Sequence, residues 1–256
     1  MDLPANAFKR ALREGRRPLG TWFMSAAPAV AEALGCAGFD FLVVDTEHVP
    51  LDAAQTVEIL RAIAGTPAAA ITRVPWNDMV MVKRALDAGA QSLMFPFVQD
   101  ADEARRAVSY TRYPPHGVRG VAAMHRASRY AAVADYLKRA SEEICVVVQL
   151  ETPAAIDALP AIAAVDGVDS LFVGPGDLAA AMGHIGDIAH ADVQAALERA
   201  ARECRQIGKP CGIVGPTPAM VRRFIDYGYS WVAVGSDMSM LLGRAQEWIT
   251  ALRSGA

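Results

Sequence analysis

The chain has 256 residues, of which 53% are hydrophobic, and a formal net charge of -3. That is enough apolar material for a large core, and with the basic residues scattered there is no polyanion-binding face, which argues against a nucleic-acid partner. No apolar run approaches the roughly 18 residues of a membrane span, and the start of the chain lacks a signal-peptide core, so a soluble cytoplasmic protein is expected.

A helix over 6–14 precedes the first strand. Short apolar runs then predict strands at 19–23, 41–45, 68–74 and 92–98, and four more at 145–151, 170–174, 211–215 and 231–235. Several are apolar on both faces, as strands buried in a parallel sheet are. Amphipathic stretches lie between or after them at 28–36, 52–64, 77–88, 101–110, 153–164, 191–207, 217–227 and 238–253. Eight strands alternating with eight helices predict a (β/α)8 TIM barrel over 1–256, a single domain with the 6–14 helix capping its bottom. A doubly wound sheet is the structural rival, but no glycine-rich dinucleotide loop follows the first strand. The longest connection, 111–130, holds RYPPHGVRG and is a shaped loop. Cys36, Cys145, Cys204 and Cys211 form no CxxC pair and suit reduced thiols.

Barrel enzymes carry their chemistry where the strands end. In FLVVDTEHVP the second strand ends in Asp45, with His48 just beyond. The third carries Arg73, the fifth carries Gln149 and Glu151 on one face, and the sixth runs through GPGD to Asp177. Taken singly, Asp177 reads equally well as a helix cap, Arg73 as a solvated arginine and His48 as a loop histidine. Jointly they share one rim. Asp237 reads as a cap of the last helix, and His184 and His190 as loop and helix-start residues rather than a metal pair.

Two carboxylates from adjacent strands, Glu151 and Asp177, without nearby His or Cys, suit a hard cation such as Mg²⁺ or Mn²⁺. The turn at Gly176 and Asp177 points backbone N–H groups at an anion. Arg73 can polarise a carbonyl as an enolate forms. His48, oriented by Asp45, is the proton-transfer group. A Schiff-base mechanism would need a lysine here, and Lys9, Lys83, Lys138 and Lys209 all lie away from the predicted strand ends.

DTEHVPLD, RVPWND, RYPPHGVRG, VVVQLETPAAI, FVGPGDLAAAMGHIG and VAVGSD together resemble the metal-dependent pyruvate aldolases of the HpcH/HpaI family, from about residue 8 to 253. The resemblance implies a barrel that exchanges its last helix between subunits of a hexamer. It implies a Mg, Mn or Co ion on Glu151 and Asp177, chelated by pyruvate, with Gln149 beside it. It implies Arg73 at the keto oxygen and His48 with Asp45 as base and orienting acid. Asp87 is matched to an acidic residue supporting the histidine across a subunit contact, and Gly176 and Val214 to the aldehyde end of the pocket. Thr46 stands where the family motif has glycine, and Gly176 where alanine or serine is common. The expected activity is reversible cleavage of 4-hydroxy-2-oxo acids, of the 2-dehydro-3-deoxy aldarate or 4-hydroxy-2-oxoheptanedioate type, to pyruvate and an aldehyde. The alternatives are a related CoA-thioester lyase, disfavoured by the absence of a basic patch for the CoA phosphates, and a barrel that binds oxo acids without turnover.

Overall fold

A computed structural model describes residues 1–254. Its eight strands pair in parallel and in chain order, and β8 closes on β1. They are β1 (Leu19–Phe23), β2 (Phe41–Asp45), β3 (Ala69–Arg73), β4 (Ser92–Phe95), β5 (Cys145–Leu150), β6 (Ser170–Val173), β7 (Cys211–Gly215) and β8 (Trp231–Ser236). The helices are α1 (Ala7–Arg13), α2 (Pro28–Cys36), α3 (Ala53–Ala64), α4 (Met79–Asp87), α5 (Ala101–Tyr110) and α6 (Tyr136–Arg139). After β5 come α7 (Pro153–Asp157), α8 (Leu159–Ala163), α9 (Pro175–Ala181), α10 (Ala191–Ile207), α11 (Pro218–Tyr227) and α12 (Asp237–Arg253). No helix among the described residues is long and apolar enough to cross a membrane.

Alternation along each strand splits the core in two. Phe41, Val43, Ile71, Cys145, Val147, Phe172 and Trp231 point into the barrel, whereas Leu42 and Val44, or Val146 and Val148, face the surrounding helices. By the same parity Asp45, Arg73 and Gln149 point inward at the last layer. The apolar lead-in of FLVVD is therefore a strand buried on both faces, ending at the mouth.

The bottom of the barrel is plugged by aromatics. Phe8 of α1 meets Phe41 and Trp231 edge-on, with ring centroids 5.3 and 5.1 Å apart, so α1 caps the barrel as expected. These rings fit because their neighbours lack side chains: a Cβ on Gly212 would sit 2.1 Å from the Trp231 ring and one on Gly20 2.4 Å from Phe41.

Three elements depart from expectation. β4 stops at Phe95 rather than 98, because Pro96 ends the ladder and Phe97 takes a φ of 54°. The expected 153–164 helix is two short ones, α7 and α8, broken at Ala158 before Pro160. The last helix forms, but Asp237 is its one buried residue; Leu241, Leu242, Trp248, Ile249 and Leu252 stand in solvent.

Gly212→Ala should destabilise the fold by about 1–3 kcal/mol, the usual cost of overpacking. A lowered urea midpoint with an unchanged slope is the expected result.

Candidate active site

β2 and β3 bring the first two groups together. Asp45 and Arg73 are register partners on adjacent strands. Asp45 is fully buried and takes Arg73 side-on, Oδ1 from Nε at 3.0 Å and Oδ2 from Nη2 at 2.6 Å. Thr46 fastens the joint: its backbone N and its Oγ1 both donate to the Arg73 carbonyl, at 3.1 and 2.5 Å. Trp22 of β1 lies under the guanidinium, 5.3 Å from ring centroid to Cζ.

This differs from the expected Asp45–His48 pair. Asp45 Oδ1 accepts from the backbone N–H groups of Glu47 and His48, at 3.0 and 3.3 Å. It therefore shapes the loop, and its side chain serves Arg73. The imidazole, three residues past the strand end, is exposed, and the carboxylate near it is Glu47, with Oε1 4.0 Å from Nε2. Glu47 Oε2 lies 2.9 Å from Arg73 Nη1. Burial raises the Glu47 pKa, against the opposing pull of Arg73. The sequence reading left Glu47 without a role; its position two residues past an inward-facing Asp was the available signal.

β5 and β6 supply the carboxylate pair. Glu151 is 3% exposed. It accepts from Gln149 Nε2 and from the Phe97 backbone N–H, each at 2.7 Å. Burial, and after it the neighbouring Asp177, push its pKa up to about 7, although the Phe97 N–H opposes this. The strained backbone at Phe97 thus delivers a donor to Glu151, a role hidden from sequence. Gly174 is required by the same packing, because a Cβ there would lie 2.6 Å from Glu151 Oε1. At Gly176 a Cβ would meet nothing within 4 Å.

Asp45, His48, Arg73, Gln149, Gly176, Asp177 and Val214 line one open cavity of about 390 Å³ at the barrel mouth, with Trp22 and Phe172 among its walls. Glu151 sits just behind Gln149. Asp87 is not there: α4 carries it down to the opposite face, where it pairs with the fully buried Arg119 at 2.8 Å and lies 3.6 Å from His125. Asp237 is not the cap of α12, which is Ser236. Its carboxylate instead takes the backbone N–H groups of Met24 and Ser25, at 2.8 and 2.9 Å, tying β8 to the loop after β1.

The donors fit a divalent cation. Glu151 is desolvated and its pKa raised, with the exposed Asp177 carboxylate beside it, and a hard cation between the two would offset that repulsion. No lysine lines the cavity. Lys9 is buried at the barrel bottom, 3.2 Å from Asp169, and Lys209 binds the Val168 carbonyl at 2.7 Å.

An arginine, a buried glutamate with an exposed aspartate beside it, and a histidine at the mouth of a barrel suit a carbon–carbon lyase of the aldolase type. The chain belongs to the HpcH/HpaI aldolase/citrate lyase family, which it matches over residues 19–243. It is 50% identical to the 2-dehydro-3,6-dideoxy-6-sulfogluconate aldolase of Pseudomonas putida over 94% of this chain and 95% of that one. It is 44% identical to the 5-keto-4-deoxy-D-glucarate aldolase of Salmonella arizonae, over 94% of each. A crystal structure of an HpcH/HpaI aldolase/citrate lyase family protein from Burkholderia cenocepacia superposes with a TM-score of 0.94 at 41% identity, covering 97% of this chain and all of the other.

The raised Glu151 pKa has a measurable sign. A cation needs the ionised carboxylate, so protons compete with it as pH falls through 7. Calorimetric titration of metal-free protein with Mg²⁺ should show affinity dropping by up to about tenfold per pH unit below 7 and levelling above it. Glu151→Gln should lose that step along with most of the affinity.

Proposed function

We propose that this enzyme is a divalent-metal-dependent pyruvate aldolase that reversibly cleaves 4-hydroxy-2-oxo acids, with Mg, Mn or Co as its ion. The observation that carries this reading is buried Glu151 with exposed Asp177 beside it, near an arginine, at a mouth with no lysine. Glu151 and Asp177 would hold the ion, which supplies positive charge to the oxygens of the 2-oxo acid. Arg73, fixed by Asp45 and approached by Glu47, keeps N–H groups free to donate to the keto oxygen and so stabilises the enolate left when the C3–C4 bond breaks. Gln149 holds Glu151 in place and lies at the pyruvate end. The first turn of α9 turns the backbone at Gly176 and Asp177 to the substrate carboxylate. His48, the exposed imidazole at the mouth, takes the proton of the 4-hydroxyl.

The aldehyde half meets Gly176, which leaves room, and Val214, which keeps one wall apolar. The leading substrates are 2-dehydro-3-deoxy aldarates, with 4-hydroxy-2-oxoheptanedioate next; the two relatives named for a sulfogluconate and a glucarate support an acidic-tailed sugar acid. Three arginines of the long loop, Arg119, Arg126 and Arg129, do not reach the distal acid within one chain. Arg119 is committed to Asp87, and Arg126 donates to the Ala88 and Leu60 carbonyls at 2.9 and 3.3 Å. Arg129 is exposed, in a loop at the face opposite the pocket. It could reach such a substrate only from a second copy, as could Asp87 if it supports His48. The bare apolar side of α12 supports packing against that copy, in the hexamer with an exchanged last helix. Four free cysteines suit the cytoplasm.

Pyruvate release from a panel of 4-hydroxy-2-oxo acids tests the reaction. EDTA should abolish it and Mn²⁺, Co²⁺ or Mg²⁺ restore it, whereas trapping of pyruvate on a lysine by borohydride would refute it. His48→Ala should slow cleavage by about 10²–10⁴-fold, as loss of a general base does, with metal binding retained.

Arg73→Ala should also stop exchange of the pyruvate methyl protons, since that step forms the same enolate. Exchange at the wild-type rate would remove Arg73 from its role. For specificity, Gly176→Ser and Val214→Leu should shift the ratio of kcat/KM between a deoxy-aldarate and the heptanedioate by an amount worth about 1–3 kcal/mol.

A further inference from the structure

Residues 182–190 join α9 to α10, and neither they nor the first turn of α10 line the aldolase cavity. His184 and His190 stand six apart in this stretch, and spacing alone gives no reason to connect them. The fold connects them through successive tight turns. The N–H of His184 donates to Ala179 O at 2.8 Å, that of Asp187 to His184 O at 2.9 Å, and that of His190 to Asp187 O at 3.2 Å. Gly183 and Gly186 make this path possible, with φ of 82° and 79°. The two imidazole rings end up stacked, their centroids 3.5 Å apart and their planes 14° from parallel. Asp192, in the first turn of α10, places Oδ2 3.8 Å from His184 Nε2 and 3.8 Å from His190 Nδ1. One ligand atom from each of the three residues fits within a mutual span of 4.8 Å.

We propose that His184, His190 and Asp192 form a second metal site, independent of the aldolase centre, for a borderline transition-metal dication of which zinc is the type.

The donor set selects the ion. Two imidazole nitrogens and one carboxylate oxygen favour Zn²⁺, Co²⁺ or Ni²⁺ over Mg²⁺, which prefers all-oxygen ligands and holds its own water. The Glu151–Asp177 pair offers oxygen ligands alone, a set that accepts Mg²⁺, so the two sites differ in donor type. The spacing is close to what is needed. Tetrahedral zinc with bonds of about 2.0–2.1 Å requires ligand atoms about 3.3–3.4 Å apart; Asp192 Oδ2 lies 3.8 Å from each imidazole nitrogen, roughly 0.5 Å too far, and the two rings must turn out of their parallel stack for their in-plane lone pairs to converge on one ion. His190 is in the right form. The backbone N–H of Asp192 can only donate, so the Nδ1 that accepts from it at 3.3 Å carries a lone pair on that side. That hydrogen bond is long, and a metal ion would replace it readily. The Asp192 side chain is 71% exposed and that of His190 36% exposed, so the ion has an entry path and water can complete its shell. A metal here would staple the turns after α9 to the first turn of α10. Asp177, at the other end of α9, lies seven residues before His184, so the staple would stiffen the segment that carries one wall of the pocket.

The test uses tag-free enzyme saturated with Mg²⁺, so that the all-oxygen site is filled, then equilibrated with micromolar Zn²⁺. Bound zinc is counted by mass spectrometry and its affinity measured by calorimetry. One zinc per chain is expected. His184→Ala and His190→Ala should each weaken zinc binding at least about tenfold, the lower end of what losing even an outer-shell partner costs, with Mg²⁺-supported aldol turnover unchanged. Glu151→Gln should keep the zinc, and X-ray absorption at the zinc edge should show two imidazole ligands. His190 also caps α10, so if His190→Ala fails to fold, His184→Ala carries the test. Absence of zinc from the wild type, wild-type zinc affinity in the His184 variant, or loss of the zinc in Glu151→Gln would each overturn the proposal.

Discussion

The active end of this barrel depends on one ion pair. Asp45 and Arg73 face inward from neighbouring strands at the same level, and the carboxylate holds the guanidinium side-on in a place nearly closed to water. Such a pair is not a large source of stability, because each charge loses its hydration, but removal of either partner strands the other at a cost of about 3–5 kcal/mol. What the pair provides is direction. Arg73 is a long side chain with considerable rotamer freedom, and Asp45, Thr46 and Trp22 together leave it one posture, with its remaining donors toward the mouth.

Charge balance follows from that posture. Asp45, Glu47, Glu151 and Asp177 bring four carboxylates to the mouth against the single Arg73. Protein groups alone leave the excess unneutralised, and part of it appears as the raised pKa values of Glu47 and Glu151. A divalent cation would offset part of that excess and leave Arg73 to meet an anionic substrate. Asp45, Arg73 and Gln149 stand on the strands and Glu151 one residue past β5, which gives the crowded charges a rigid frame.

Much of this was legible in the sequence because the barrel obeys local rules. Strand parity alone put Asp45, Arg73 and Gln149 on the inner face, and the eightfold alternation of strands and helices pointed to a barrel. What escaped the sequence depended on contacts between distant segments. Asp45 was paired with His48 because they are near in sequence, whereas its partner, Arg73, is adjacent through strand register. Glu47 read as one more polar loop residue until the fold folded it back on Arg73. Pro96 should have shortened β4 and Pro160 should have split the helix after β5; both signals were visible and were outweighed by the apolar runs around them. The His184–His190 stack could not be read at all, since it arises from two glycine turns that periodicity does not register.

Gly174 and Gly176, two residues apart, are chemically identical and mechanically opposite. At Gly174 the space a side chain would occupy is already filled by Glu151 and Gln149. At Gly176 that space is empty and opens on the part of the pocket where the aldehyde would lie. Mutational drift is thus partitioned along a single turn of chain. A side chain at the first position would collide with the carboxylate centre, whereas one at the second would fill open pocket and leave the carboxylates untouched.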